Sequence, residues 1–269
     1  MTTPETASQG DREWSAFRDA LERTTGVPLG QYKQPQMRRR LGSVMQRKSI
    51  PDWPAFAAAI ATNPRLLEEV RDSLTINVSE FFRQPERFTE MLTEHIPRLQ
   101  QGHAALKFWS AGCSIGCEPY SLAMILDELD PRSRHSILAT DVDLPILARA
   151  RDGKGYRPQE VQSVPPALLQ KYLVRATDST YGVDPALKRR ITFRRHDLLT
   201  DPYPSGLDFI LCRNVVIYFN EAAKCHLYSS FAAALRPGGL LFVGGSEMIM
   251  RSHELGFRAA GTSIYQKAA

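Results

Sequence analysis

The sequence has no apolar run approaching the roughly 20 residues needed to cross a bilayer, and its polar start, Met1 to Trp14, has no signal-peptide core. Membrane insertion is therefore not expected, and a cytoplasmic location is. The four cysteines, Cys113, Cys117, Cys212 and Cys225, lack C-x-x-C spacing. That argues against a structural zinc site and a disulfide framework, so no metal is expected and buried thiols are the default. Acids are missing from Val27 to Ile50, a stretch that carries Lys33, Arg38, Arg39, Arg40, Arg47 and Lys48. Such a patch suits an acidic partner, either a nucleic acid or an acidic protein face. Also missing are two phosphate-binding signatures, since there is neither a G-x-G-x-x-G nor a Walker lysine.

What is present is enough for a large core. With 269 residues and 43% apolar content, the chain can bury a full α/β core and still build a small second domain. Residues 1–10 are short, polar and without periodicity, and read as disordered. Residues 11–74 read as a helical domain: Trp14 to Thr24, a helix opened by Pro35 with Met37, Leu41, Val44 and Met45 at core spacing, one from Asp52 through Ala61, and one from Pro64 to Leu74. From residue 75 to 269, strand and helix alternate, which predicts a doubly wound, mostly parallel sheet with helices on both faces. Ala105–Ala111, Ser136–Thr140, Ile191–Arg195, Leu207–Cys212 and Leu240–Gly244 are the expected core strands, with Arg236–Gly239 as a turn and a closing hairpin around Gly261. Residues 172–194 predict a small inserted antiparallel flap.

The stretch from Phe108 to Ser121 reads as a buried strand that breaks at Gly112 and Gly116 and restarts as a helix. Glycine removes side chains where another molecule could approach the main chain, and Pro119 fits a first helical turn. Glu118 stands at that helix start, where it would repel a phosphate but could pair with a cationic amino group. S-adenosylmethionine, with an amino group, a sulfonium and no phosphate, matches this chemistry. Asp141 follows the next strand, the place where a doubly wound nucleotide site holds ribose hydroxyls, and Asp143 can cap the helix after it.

Four stretches then carry a resemblance: Leu74–Arg83, Trp109–Ser121, Ala139–Asp143 and Phe209–Phe219. Together they resemble chemotaxis receptor methyltransferases of the CheR type, which methylate glutamate side chains on bacterial chemoreceptors. The resemblance implies a Rossmann-like S-adenosyl-L-methionine methyltransferase sheet with a small inserted β-subdomain and a small N-terminal all-α domain. It implies cofactor contacts from Asn77, Ser79, Arg83 and Gly112, Glu118 on the methionyl part and Asp141 on the ribose. Asp197, Leu198, Asn214 and Val215 match positions that enclose the adenine and complete the pocket, and Arg83 and Tyr218 are the catalytic candidates. Cys117 stands where the family more often has a second acid. Arg38, Arg39 and Arg40 would dock on the acid-rich receptor helices, with no nucleic acid partner, no membrane insertion and a monomeric state expected. Members that tether to a receptor C-terminal peptide carry a Gly-x-Gly turn in the flap. Here Ala176 and Asp178 stand in those places, which implies the pentapeptide-independent kind, unless Gly182 supplies the turn in a shifted register. The alternatives are a nucleic-acid methyltransferase with the same cofactor fold and a non-catalytic cofactor-binding scaffold.

Overall fold

The computed structural model describes residues 8–74, 79–101, 103, 105–245 and 247–268. The chain divides into two compact units, Met1–Ile76 with Tyr218–Ala223, and Asn77–Ile217 with Lys224–Ala269.

The first unit is built on four helices: α1 (Gln9–Thr25), α2 (Gln34–Arg47), α3 (Trp53–Thr62) and α4 (Pro64–Leu74). Helix α1 starts earlier than its apolar pattern predicts, and Gln9 and Gly10 are helical rather than disordered. The reason is a cap: the Ser8 hydroxyl accepts the Asp11 N–H at 3.2 Å. Asp52 caps α3 in the same way, from Ala55 N at 2.8 Å. Phe17 stacks on Phe56 at 5.2 Å and Trp14 meets Trp53 edge-on at 4.8 Å, and all four side chains are buried. Tyr218–Ala223 joins this unit through Lys33 N donating to Tyr218 O at 2.9 Å and Asn220 N donating to Gln31 O at 2.8 Å. The expected unbroken second domain is thus interrupted by a short excursion that no local pattern marks.

In the second unit, α5 (Pro85–Glu90) continues through a π-helical turn (Met91–His95) into α6 (Ile96–Gln100). Then come β1 (Lys107–Ala111), α7 (Cys117–Leu129), β2 (Ser136–Asp141), α8 (Leu144–Asp152), α9 (Pro158–Val161) and α10 (Pro166–Tyr172). The chain goes on with β3 (Leu173–Arg175), β4 (Tyr181–Val183), α11 (Pro185–Lys188), β5 (Ile191–Arg195) and β6 (Leu207–Cys212). The chain continues in a 3-10 turn (Val216–Tyr218) and α12 (Glu221–Ala234), between them carrying the Tyr218–Ala223 segment of the first unit, and β7 (Leu235–Val243), β8 (Phe257–Gly261) and β9 (Ile264–Lys267) complete the second.

Among the described residues, seven strands form one sheet in the order β5-β2-β1-β6-β7-β9-β8. The first five run parallel, and β9 and β8 close the edge antiparallel. Strand β6 is buried along its whole length, as a strand covered on both faces must be. Its one charged residue, Asp208, is answered by Lys107 N at 2.7 Å and by an ion pair with Arg236.

Three expectations need correction. Arg236–Gly239 is not a turn ahead of a strand. Strand β7 already pairs at Leu235 with Leu207, and the register then shifts so that Phe209 faces Leu240, which makes these residues a bulge with Gly238 at φ 78°. The flap is confined to the β3–β4 hairpin, because Ile191–Arg194 pairs with β2 in the main sheet. Cys225 is exposed, whereas Cys113, Cys117 and Cys212 are buried.

Candidate functional site

In a parallel sheet, ligands bind beyond the carboxyl ends of the strands where the strand order reverses. Here that point is β1, which lies between β2 and β6. The end of β2 and the segments that follow β1, β5 and β6 hold most of the expected site residues of this unit.

After β1 the chain turns at Gly112 and Gly116, with φ values of 82° and 89°. Both glycines are needed, but not because a ligand fills the space of the missing side chain. A Cβ on Gly112 would lie 2.5 Å from Val215 Cγ2, and one on Gly116 would lie 3.1 Å from the Tyr120 ring and 3.2 Å from Ala150. The protein itself occupies that space, so Val215 is packed directly onto the glycine loop.

Glu118 lies in the first turn of α7. Its Oε1 accepts the Ser110 hydroxyl at 2.7 Å, and its Oε2 lies 3.7 Å from Arg213 Nη1. Burial pushes this carboxyl above its ordinary value, while the Arg213 guanidinium and the Ser110 hydroxyl pull it back. A carboxylate offers about four acceptor positions. Because the Arg213 contact is longer than a hydrogen bond, Oε2 keeps acceptor capacity for a cationic group.

Arg213 is the residue that sequence reasoning passed over. It directly follows β6, its side chain is only 3% exposed, and it donates through Nη2 to Arg83 O and Gln84 Oε1, both at 2.7 Å. Its guanidinium also lies 4.6 Å from the Phe242 ring centre and 5.5 Å from that of Phe88. Arg213 thereby ties the Arg83–Gln84 segment, where Gln84 has φ 61°, to Glu118. Removing one partner of such a buried pair typically costs about 3–5 kcal/mol. The Arg83 charge also favours the ionised form of Glu118. Ser79 hydrogen-bonds the Cys117 thiol at the start of α7. Asn77 lies outside the described residues.

Asp141 ends β2. Its Oδ2 accepts Ser114 N at 2.8 Å and its Oδ1 accepts Asp143 N at 3.0 Å, which leaves acceptor positions for hydroxyls. Burial pushes its carboxyl up, against the pull of those N–H groups. Asp143 caps α8 through Ile146 N at 3.1 Å. The backbone after β5 is fastened to this corner by His196 N, which donates to Asp141 O at 3.0 Å. Next in the chain, Asp197 and Leu198 are buried, with Asp197 Oδ1 accepting Leu199 N at 2.9 Å and Leu198 O accepting the Tyr203 hydroxyl at 2.7 Å.

After β6, Asn214 adopts φ 60° and donates its N–H at 2.7 Å to Glu247, a buried carboxylate in the segment after β7. Ser110, Gln84, Arg213 and Glu247 were all missed as site residues. A signal existed for Glu247: it is an acid in the segment after a buried strand, as Asp141 is an acid at a strand end.

In the helical unit, Arg40 lies over the Tyr218 ring at 4.7 Å. Arg38 pairs with Asp11 at 2.6 Å and donates to Gly10 O at 3.1 Å, and Arg39 is exposed. Arg47 and Lys48 both face Glu69, at 3.5 and 2.7 Å. The basic stretch is therefore partly answered within its own unit. Among the described residues no helix is long and apolar enough to cross a membrane.

The carboxylates Glu118 and Asp141, with acceptor positions to spare, suit a ligand that is cationic at one end and carries hydroxyls, and S-adenosylmethionine is such a molecule. Comparison with known proteins agrees. Residues 77–265 match the family described as "CheR methyltransferase, SAM binding domain", and residues 12–75 match "CheR methyltransferase, all-alpha domain". The chain is 38% identical over 258 residues to a chemotaxis protein methyltransferase of Listeria monocytogenes, covering 96% of this chain and 98% of the relative. It is 32% identical over 254 residues to chemotaxis protein methyltransferase Cher2 of Pseudomonas putida, covering 90% and 92%. It is also 32% identical over 265 residues to the chemotaxis protein methyltransferase of Escherichia coli, covering 95% and 90%.

Proposed function

The chain belongs to the CheR methyltransferase family, and from that premise we propose that it forms methyl esters on glutamate side chains in the cytoplasmic helices of chemoreceptors. S-adenosylmethionine-dependent methylation in chemotaxis is the activity of the family and of this chain. The protein would act in the cytoplasm, where those helices lie.

The observation that carries it is Glu118, a carboxylate at a helix start whose Oε2 retains acceptor capacity. In this reading Glu118 holds the amino end of the cofactor, Asp141 accepts the ribose hydroxyls, and Asp197 and Leu198 enclose the adenine. Asn214 and Val215 complete the pocket with Gly112, and Asn77 and Ser79 border it. Bound S-adenosylmethionine supplies an electrophilic methyl group on a sulfonium, and S-adenosylhomocysteine is the product. A glutamate acceptor is already ionised near neutral pH, so the chain needs no general base. Its work is to align the acceptor and exclude water. Arg83 is the candidate for orienting the carboxylates at the reacting end, with Tyr218 as the second. Arg38, Arg39 and Arg40 supply the positive field that meets an acid-rich helix.

Incubation with cofactor and a chemoreceptor cytoplasmic fragment, followed by fragmentation mass spectrometry, tests the reading. Methyl groups on glutamate side chains are expected. Methylation confined to lysine, arginine or added RNA would overturn it.

A further inference from the structure

Glu247 is a buried carboxylate that none of these roles uses. Its Oε2 accepts two backbone N–H groups, from Asn214 at 2.7 Å and from Gly244 at 2.5 Å, and its Oε1 accepts Ile217 N at 3.2 Å. Its own N–H donates to Gly244 O at 2.8 Å. One side chain therefore joins the segment after β7 to the segment after β6.

We infer that Glu247 is a positioning residue for methyl transfer, holding Asn214 and Val215 in the conformation that borders the cofactor. The inference rests on the reading that those two residues complete the pocket. Asn214 has φ 60°, the left-handed region that few non-glycine residues adopt and that asparagine tolerates best among them. The Glu247 carboxylate is what grips its N–H. Val215, the next residue, is packed onto Gly112, so a shift at Asn214 is passed to the glycine loop after β1. The fit around the carboxylate is close: a Cβ on Gly244 would lie 2.5 Å from Glu247 Oε2 and 2.9 Å from Asn214 N. Both oxygens must accept. A glutamine offers one acceptor oxygen and an NH2 group, so at least one N–H among the three would face another donor.

The test uses Glu247→Gln and Gly244→Ala beside wild type. Each is titrated calorimetrically with S-adenosylhomocysteine, melted thermally, and assayed for KM of cofactor and of receptor fragment separately. Glu247→Gln is expected to weaken cofactor binding by about tenfold, the scale of one buried N–H left without an acceptor. The cofactor KM should rise while the receptor-fragment KM stays as in wild type. Gly244→Ala keeps the carboxylate and displaces it, so it should show the same pattern, and it carries the test if Glu247→Gln does not fold. Wild-type cofactor affinity in the folded variants, or an equal rise in both KM values, would overturn the inference. Absence of binding by wild type would overturn the cofactor reading itself and the inference with it.

Discussion

Glu118 and Asp141 are pushed toward protonation by burial, and each is held by donors that favour the ionised form. Asp141→Ala removes the proposed acceptor for ribose hydroxyls and should weaken S-adenosylhomocysteine binding by about 1–3 kcal/mol, as read by calorimetry. Unchanged affinity would remove Asp141 from the site. Glu118 gives a pH dependence with a definite sign. A cationic amino group binds the ionised carboxylate, so affinity is full above the raised value and falls as pH drops through it. The fall should begin at a higher pH than an ordinary glutamate would give, and Glu118→Gln should be weaker throughout and flat across that range. An unaltered pH slope in the glutamine variant would contradict the assignment. The places of these two residues in the fold were legible because each stands at a recognisable local event, a helix start or a strand end. Arg213 was less so, because its partners Glu118 and Arg83 lie far away in the chain and only packing brings them together.

The elements themselves were largely legible. Strands β5 and β6 coincide with their expected bounds: β6 is a near-continuous apolar run, and β5 sets Ile191 and Phe193 in alternation with polar residues. The bulge in β7 was not, because Arg-Pro-Gly-Gly has turn chemistry and the pairing of Leu235 with Leu207 overrides it. Helix α2 was legible as basic, but not in how its charges are used. With Arg38 tied to Asp11 and Arg40 over Tyr218, Arg39 is the exposed member of the three. Arg39→Glu alone should therefore weaken receptor-fragment methylation and flatten its salt dependence, while cofactor affinity stays constant. Normal rates across ionic strengths would show the patch to be a solvated face. The flap carries another prediction. Gly182 is a ladder residue paired with Val174, and the turn is held by Ala176 N donating to Thr180 O at 2.8 Å and by the Asp178 carboxylate accepting from Thr180. Side chains at Ala176 and Asp178 are expected to hinder the close approach of an added strand. Titration with a receptor C-terminal pentapeptide should give no binding at millimolar concentration, and micromolar binding would refute the expectation.

At the scale of the molecule, the excursion of Tyr218–Ala223 into the helical unit makes the two units interleaved in sequence. The pattern after β6 reads only as a loop before a helix, because the backbone partners Gln31 and Lys33 are almost two hundred residues away. The modest net charge of +5 leaves partner choice to local features such as α2. Which chemical group receives the methyl decides between a receptor-modifying enzyme and one that acts on nucleic acid with the same cofactor fold. The direct measurement is transfer from methyl-labelled S-adenosylmethionine to chemoreceptor cytoplasmic fragments and, in parallel, to RNA, followed by mild base. Label on the receptor fragment that base releases as methanol is expected, because a carboxyl methyl ester is base-labile. Label that survives base, or that accumulates on RNA and not on the receptor, would contradict glutamate methylation.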